Sequence, residues 1–295
     1  MTEVTVGRVW LVTGASSGLG RALTEAALKN NEIVVAVCRK PADLDALAAA
    51  HPGRLLVVKC DVTKPDDVVA AFANALERFG RVDVVLNSAG TATLGEIEAT
   101  PDAEARALFE VNFWGALAVS REAVRVFRDL NPTGAGGRLL NVSSGNGFVG
   151  MPLLGIYSAR SPTQAVRAAV EGFTESLRLE LNPAWNIKVS LIAPGAFKTG
   201  IHTKRTTHFP APAAYSSDGL PSQVLRKLFK DDSFVRGDPD LAAEAIFKFS
   251  MLESPPVRWV MGKDAIRGVR AKIEEVSTET NAFESWSDNL ELSDN

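Results

Sequence analysis

Gly14, Gly18 and Gly20 follow directly on the apolar run 9–12, inside the segment Thr13-Gly14-Ala15-Ser16-Ser17-Gly18-Leu19-Gly20. Glycines at this spacing permit a tight turn, close backbone approach and close helix–strand packing. A helix opening on such a turn points its unpaired N–H groups and the positive end of its dipole at a pyrophosphate. The chemistry this suggests is dinucleotide binding at a first strand–loop–helix crossover. Other chemistries lack their residues. Cys38 and Cys60 are the only cysteines, each closing an apolar run, and His51, His202 and His208 have no metal-ligand spacing. A disulfide framework and a metal centre are therefore not expected. Net charge is −3 with Lys and Arg scattered, so the basic patch of a nucleic-acid or anionic-membrane binder is missing. No run of about 18 apolar residues occurs, and the start lacks the regions of a signal peptide. The expectation is a metal-free, reduced, cytoplasmic protein acting on a small molecule.

The elements that must position this loop are legible in the same chain. At 295 residues with 46% hydrophobic and 23% charged content, there is material for one large α/β domain. Short runs apolar at nearly every position, at 9–12, 33–37, 55–59, 82–86, 138–142, 188–192 and 258–260, predict parallel strands buried on both faces. Helical stretches fall between them at 19–30, 42–50, 66–79, 102–129, 164–181 and 238–252. The alternation predicts a single-domain Rossmann-type doubly wound parallel sheet of about seven strands, helices on both faces, spanning 1–280. Residues 281–295 read as a polar C-terminal tail. Residues 196–235, rich in Pro and small residues, read as a long functional loop at the carboxyl end of the sheet.

The glycine segment resembles the cofactor loop of the short-chain dehydrogenase/reductase superfamily. Further matches run in that family's order: Asp61, Asn87-Ser88-Ala89-Gly90, Asn112, Ser143-Ser144, Tyr157 and Pro194-Gly195. The resemblance covers roughly residues 8–265, and the stretch 171–181 is similar to the 17β-hydroxysteroid-dehydrogenase-like branch. It implies a cofactor site built from Gly14, Ser16, Ser17, Gly18, Leu19 and Gly20. Asp61 and Val62 would hold the adenine, Asn87, Ala89 and Gly90 would line the ribose and strand end, and Pro194, Gly195 and Thr199 would position the nicotinamide. Asp61 could equally serve the start of the following helix. The second strand ends Cys38-Arg39-Lys40, with no acid for the ribose hydroxyls until Asp43. Cys38 stands where NAD-selective members carry Asp, and Arg39 where NADP-selective members place a cation. NADP(H) is the expected cofactor.

Hydride exchange with an alcohol needs a proton donor and acceptor at the substrate oxygen. The resemblance gives that work to Tyr157, substrate orientation to Ser144 and a proton relay to Asn112. Asn112 could instead be a buried packing residue and Ser144 a loop hydroxyl. A phenol titrating near 10 needs a neighbouring cation to act at neutral pH. The family places a lysine one turn after the tyrosine, but Tyr157 is followed by Ser158-Ala159-Arg160-Ser161. The simplest alignment inserts six residues at 160–165 and puts Arg167 in the lysine's place. Pro162 disfavours a helix running through from Tyr157, and Ser161-Pro162-Thr163-Gln164 reads as a helix start. Arg167 keeps the charge but not the compact shape of an ammonium. Two outcomes stay open: an NADP(H)-dependent oxidoreductase of a medium-sized apolar ketone or aldehyde and its alcohol, or a redox-attenuated protein that still binds the cofactor. Phe197, Ile201, Phe209, Tyr215 and Leu220 read as an apolar lid, with His202 and His208 on its surface. Phe109, Phe113, Trp114 and Phe173 read as core residues. By resemblance a homodimer or homotetramer is expected.

Overall fold

Because β-branched and apolar residues fill both faces of each short run, the strands can be stable only when covered on both sides. The computed structural model, which describes residues 7–155, 165–201, 206–230, 235–288 and 290–292, shows that arrangement. Seven parallel strands form the central sheet: β1 Val9–Thr13, β2 Ile33–Cys38, β3 Leu55–Lys59, β4 Val84–Asn87, β6 Gly137–Val142, β7 Ile187–Pro194 and β9 Arg258–Met261. Their spatial order is β3-β2-β1-β4-β6-β7-β9. A second, small sheet pairs β5 Ala92–Leu94 with β8 Thr206–His208.

Period-two alternation along β1 divides the core. Trp10 and Val12 pack with Leu23 and Leu28 of α1 (Gly18–Lys29) and with Ile246 and Phe247 of α8 (Pro239–Phe249). Val9 and Leu11 point the other way, into Val68 and Phe72 of α3 (Pro65–Phe79) and Val119 of α5 (Ala116–Arg125). Each Val or Phe sealed in this way contributes about 1.5–3 kcal/mol. Two predicted helices are subdivided. The stretch at 42–50 is a 3₁₀ turn, Pro41–Leu44, followed by α2, Asp45–Ala50. The stretch at 102–129 is α4 (Asp102–Phe109), a π-helical turn (Glu110–Gly115), α5 and a second π-helical turn (Val126–Leu130).

The sheet order reverses between β1 and β4. From there the chain runs outward through β2 and β3 on one side and through β6, β7 and β9 on the other. In such folds ligands bind outside the carboxyl ends of the strands where the order reverses.

The 196–235 segment contains more regular structure than its Pro and Gly content suggested: β8 and the amphipathic helix α7, Pro221–Lys230. The longest helix, α9 (Lys263–Phe283), is absent from the sequence reading and runs past the expected tail boundary. Its apolar signal is weak because only Ala265 and Val269 are buried along it. Helix α6 is described over Ala165–Glu180, and its expected start at Ser161–Gln164 lies outside the described residues.

Candidate active site

The glycine loop is held by backbone chemistry rather than by side-chain bulk. Thr13, the last residue of β1, accepts hydrogen bonds on Oγ1 from the N–H groups of Ser88 and Ala89, each at 3.0 Å. This ties the end of β1 to the end of β4. Gly14 lies at φ +69°, and a Cβ there would stand 3.0 Å from the Ala89 Cα. A Cβ on Gly20 would meet the Gly14 carbonyl oxygen at 2.6 Å, so only glycine lets α1 come this close to the turn. Ser17 is the N-cap of α1, yet its side chain caps nothing. Its Oγ is buried without a partner among the described residues. A buried unsatisfied hydroxyl beside the open N–H groups of a twelve-residue helix suits an anionic ligand oxygen. These features fit the pyrophosphate of a dinucleotide.

Beyond the loop, a cavity of about 220 Å³ is lined by Gly14, Ser16, Cys38, Arg39, Asp61 and Val62, among others. Arg39 and Asp61 both line it. Burial pushes the Asp61 carboxyl up, but hydrogen bonds from Thr63 and the nearby charges of Arg39 and Lys64 outweigh it and hold the acid below its ordinary range. Asp61 Oδ1 takes both bonds from Thr63, at 3.1 Å from the N–H and 2.9 Å from the hydroxyl. Helix α3 is capped at Lys64 with no side-chain bond, so Asp61 does not cap it. The thiol of Cys60 is pushed up to about 12 by burial, with Asp67 and Asp61 adding to the effect. Cys38 moves in the same direction, again chiefly through burial. Both shifts favour the thiol over the nucleophilic thiolate.

A larger cavity of about 940 Å³ adjoins the glycine loop, and Ser144, Arg167, Pro194, Gly195 and Thr199 all line it. Ser144 follows β6, and its Oγ accepts from the Asn146 N–H at 3.2 Å. Asn112 sits in the π-helical turn, fully buried; its Oδ1 accepts from Thr91 N–H at 2.9 Å and its Nδ2 donates to Thr91 O at 2.8 Å. Such turns often place side chains at functional sites. Arg167, in the first turn of α6, is buried and donates from Nη1 to Val142 O at 2.9 Å. A Cβ on Gly90 would lie 2.9 Å from Arg167 Nη2 and 3.1 Å from Asn112 Oδ1, so these three residues converge. Tyr157 and the 160–164 part of the insert lie outside the described residues, as does His202.

Other expected positions are distributed differently. Asn87 lines neither cavity: its Nδ2 donates to Ala116 O at 2.8 Å and Asn141 Oδ1 at 3.0 Å, so it braces the strand ends. Of the lid residues, Phe197 and Ile201 line the large cavity, but Phe209, Tyr215 and Leu220 do not. Phe229 of α7 lines it unannounced. Phe109, Phe113 and Phe173 form edge-on ring contacts, whereas Trp114 is 51% exposed.

Two polar networks were invisible in the sequence. Ser143 Oγ donates to Glu171 Oε1 at 2.8 Å, and Arg258 donates to Glu171 Oε2 at 3.1 Å while its guanidinium lies over the Phe148 ring. Burial pushes the Glu171 carboxyl up, although Ser143 and Arg258 partly offset it. Glu171 stands one helical turn after Arg167, so this network fixes the Ser143–Ser144 turn against α6. In the second network, Arg226 of α7 forks onto both carboxylate oxygens of Glu96 and donates to Phe209 O at 2.8 Å. A glutamate beside an arginine at that separation has no local sequence signature.

Residues 8–209 match the family model described as short chain dehydrogenase. The chain belongs to the short-chain dehydrogenase family. It is 33% identical over 270 residues to an uncharacterized oxidoreductase of Schizosaccharomyces pombe, covering 91% of this chain and 87% of that protein. Among solved structures it is similar to a short-chain dehydrogenase from Streptomyces avermitilis, with TM-score 0.84, 33% identity and coverage of 97% and 99%. It is also similar to a short chain dehydrogenase/reductase from Burkholderia phymatum in complex with NAD, with TM-score 0.76, 25% identity and coverage of 92% and 95%. Family membership makes the chain an oxidoreductase of a nucleotide-binding, Rossmann-like fold. Among the described residues no helix is long and apolar enough to cross a membrane.

Proposed function

We propose that this family member is an NADP(H)-dependent reductase interconverting a medium-sized apolar ketone or aldehyde and its alcohol, acting in the cytoplasm as a homo-oligomer. The observation that carries the reading is the 940 Å³ cavity in which Ser144 shares a wall with Leu94, Met151, Leu154 and Phe229. Gly18, Leu19, Pro194, Gly195 and Thr199 line the same cavity, so part of it takes the cofactor and the apolar remainder encloses a carbonyl compound of modest length and sheds water around its reacting oxygen. When bound, the cofactor supplies hydride to the carbonyl carbon. Gly14, Ser16, Ser17, Gly18, Leu19 and Gly20 would hold its pyrophosphate, and Asp61, Val62, Ala89 and Gly90 its adenosine half. Pro194, Gly195 and Thr199 would orient the nicotinamide. Arg39 favours the phosphorylated form, since no acid stands at the end of β2 to take the ribose hydroxyls.

The chain's own groups handle the proton. Ser144 hydrogen-bonds the substrate oxygen, Tyr157 gives or takes its proton, and Asn112 sits on the relay behind them. Arg167 supplies the positive charge that makes the phenol more acidic. A second reading, cofactor binding with attenuated redox activity, is favoured by one observation. Arg167, in the wall of the cavity, commits Nη1 to Val142 O. Purified protein tested for NADPH oxidation against medium-chain ketones and aldehydes, beside titration with NADPH and NADH, separates the two. Turnover with NADPH supports the reductase. Tight NADPH binding with no turnover on any carbonyl supports attenuation.

A further inference from the structure

The large cavity has two unlike walls. One is apolar, made by β5, the 149–154 segment, Ile201 and Phe229. The other comes from the start of α9 and carries Lys263 and Arg267, both exposed at the cavity edge. These residues are four apart, so they stand on one face of the helix. The same helix start abuts the Ser144 turn through its other side: a Cβ on Gly145 would lie 2.9 Å from Ala265 Cβ, and one on Gly268 would lie 3.4 Å from Val149 Cγ2. Among the described residues neither cation has an ion-pair partner. The acid between them, Asp264, accepts the Ala196 N–H on Oδ2 at 2.7 Å, committed to holding the strand-end turn. Two further cations line this cavity: Arg167, which donates Nη1 to Val142 O at 2.9 Å, and Arg236. Arg236 precedes Gly237, which bridges to Phe197.

A positive wall is not what the chain's average would provide, since its net charge is −3. Two cations without an ion-pair partner among the described residues, lining the same cavity as Leu94, Met151, Leu154, Ile201 and Phe229, recognise a ligand with a greasy body and an anionic end. We propose that the substrate carries an oxyanion, a carboxylate or a phosphate monoester, which Lys263 and Arg267 bind while the carbonyl lies at Ser144. This deepens the reductase reading and rests on it. Because both cations are exposed, their attraction acts through water and ions, so it is moderate in size and sensitive to salt.

The test compares oxodecanoate, bearing a methyl ketone at one end and a carboxylate at the other, with its methyl ester and with a phosphate-ended analogue of equal length. The expected result at low ionic strength is a kcat/KM about tenfold higher for the anions than for the ester. The advantage should shrink to about threefold or less in molar salt, where the screening length falls to about 3 Å. In the double variant Lys263→Gln, Arg267→Gln the anion-to-ester ratio should also collapse to within about threefold. The carboxylate and phosphate arms rank the two sources of the charge. The same ratio, read as dissociation constants by calorimetry on protein saturated with NADP⁺, requires no turnover. Absence of NADPH oxidation with every probe sinks the reductase reading, and the binding ratio still decides the anion site. Equal affinity for acid and ester in the wild type, or a preference surviving in the double variant, overturns the proposal.

Discussion

Arg39 is the residue on which cofactor choice turns. It lines the adenosine-side cavity at the end of β2, close enough to Asp61 to help lower that carboxyl. If it binds a 2′-phosphate, Arg39→Ala weakens NADPH binding by about tenfold to a hundredfold and leaves NADH nearly unchanged. Calorimetric titration of both cofactors reads this directly, and equal losses would remove Arg39 from the assignment. Glu171 acts at the same scale but on stability. Burial raises its folded-state pKa above the unfolded value of about 4.3, so ionisation opposes folding. The penalty is absent below the unfolded value and fully present once pH has risen through the folded one. Glu171→Gln keeps an acceptor for Ser143 and removes the charge. It is therefore expected to match or exceed wild-type stability at pH 8, with the difference vanishing in acid. Urea melts across pH check this; a variant markedly less stable at pH 8 than at pH 4 relative to wild type would contradict it. Glu171→Ala, by contrast, leaves the Ser143 hydroxyl unpaired and costs about 1–3 kcal/mol.

At the scale of elements, the Glu96–Arg226 ion pair latches α7 to the body. Glu96 is 4% exposed and Arg226 18%, and the pair sits where Phe209 continues from β8. Burial pushes Glu96 up, but the hydrogen bonds and charge of Arg226 outweigh it and hold the carboxyl below its ordinary range. A depressed acid contributes stability above its unfolded pKa, and that contribution is lost as pH falls through the folded value. Removing Arg226 strands a buried carboxylate, so Arg226→Ala is expected to cost about 2–4 kcal/mol at pH 7 and less in strong acid. Hydrogen exchange should show the loss first in α7 and β8, together with a raised KM for apolar carbonyls; uniform loss across the sheet would argue against a local latch. Helix α6 carries the other element-scale question. Its register places Arg167 against Val142, Gly90 and Asn112. Excising residues 160–165 together with Arg167→Lys recreates a Tyr-x-x-x-Lys turn ahead of the unchanged 168–181 register. If the native centre is attenuated, that variant reduces carbonyls faster, by at least tenfold. A large fall in rate would mean that the insert itself builds the working site.

For the whole molecule, the open matter is assembly. Trp114 projects from the π-helical turn at 51% exposure beside Phe113, on the helix pair expected from the resemblance to meet a second copy. Leu179 at the end of α6 is 79% exposed. If these surfaces meet, light scattering gives a dimer or tetramer, and Trp114→Glu lowers the mass toward the monomer. An unchanged mass in the variant would place the interface elsewhere.

Contiguous stretches of the chain encode its local features. The glycine loop, the seven buried strands and the Cys38-Arg39 strand end each rest on neighbours in the chain, through backbone conformation or period-two burial. Tertiary structure decided what depends on separation. Glu96 meets Arg226 across 130 positions, and Arg258 meets Glu171 across 87. Asn87 looked like a ligand contact because its place in a motif is local information. Its side-chain partners Ala116 and Asn141 come from other elements, and they turn it inward. Helix α9 was missed for the same reason: a helix burying only two residues leaves little periodic signal, yet sheet order sets its first turn against Ser144. Hydrophobic period reports which face is buried, whereas the partners of a polar side chain are chosen by packing between elements far apart in the chain.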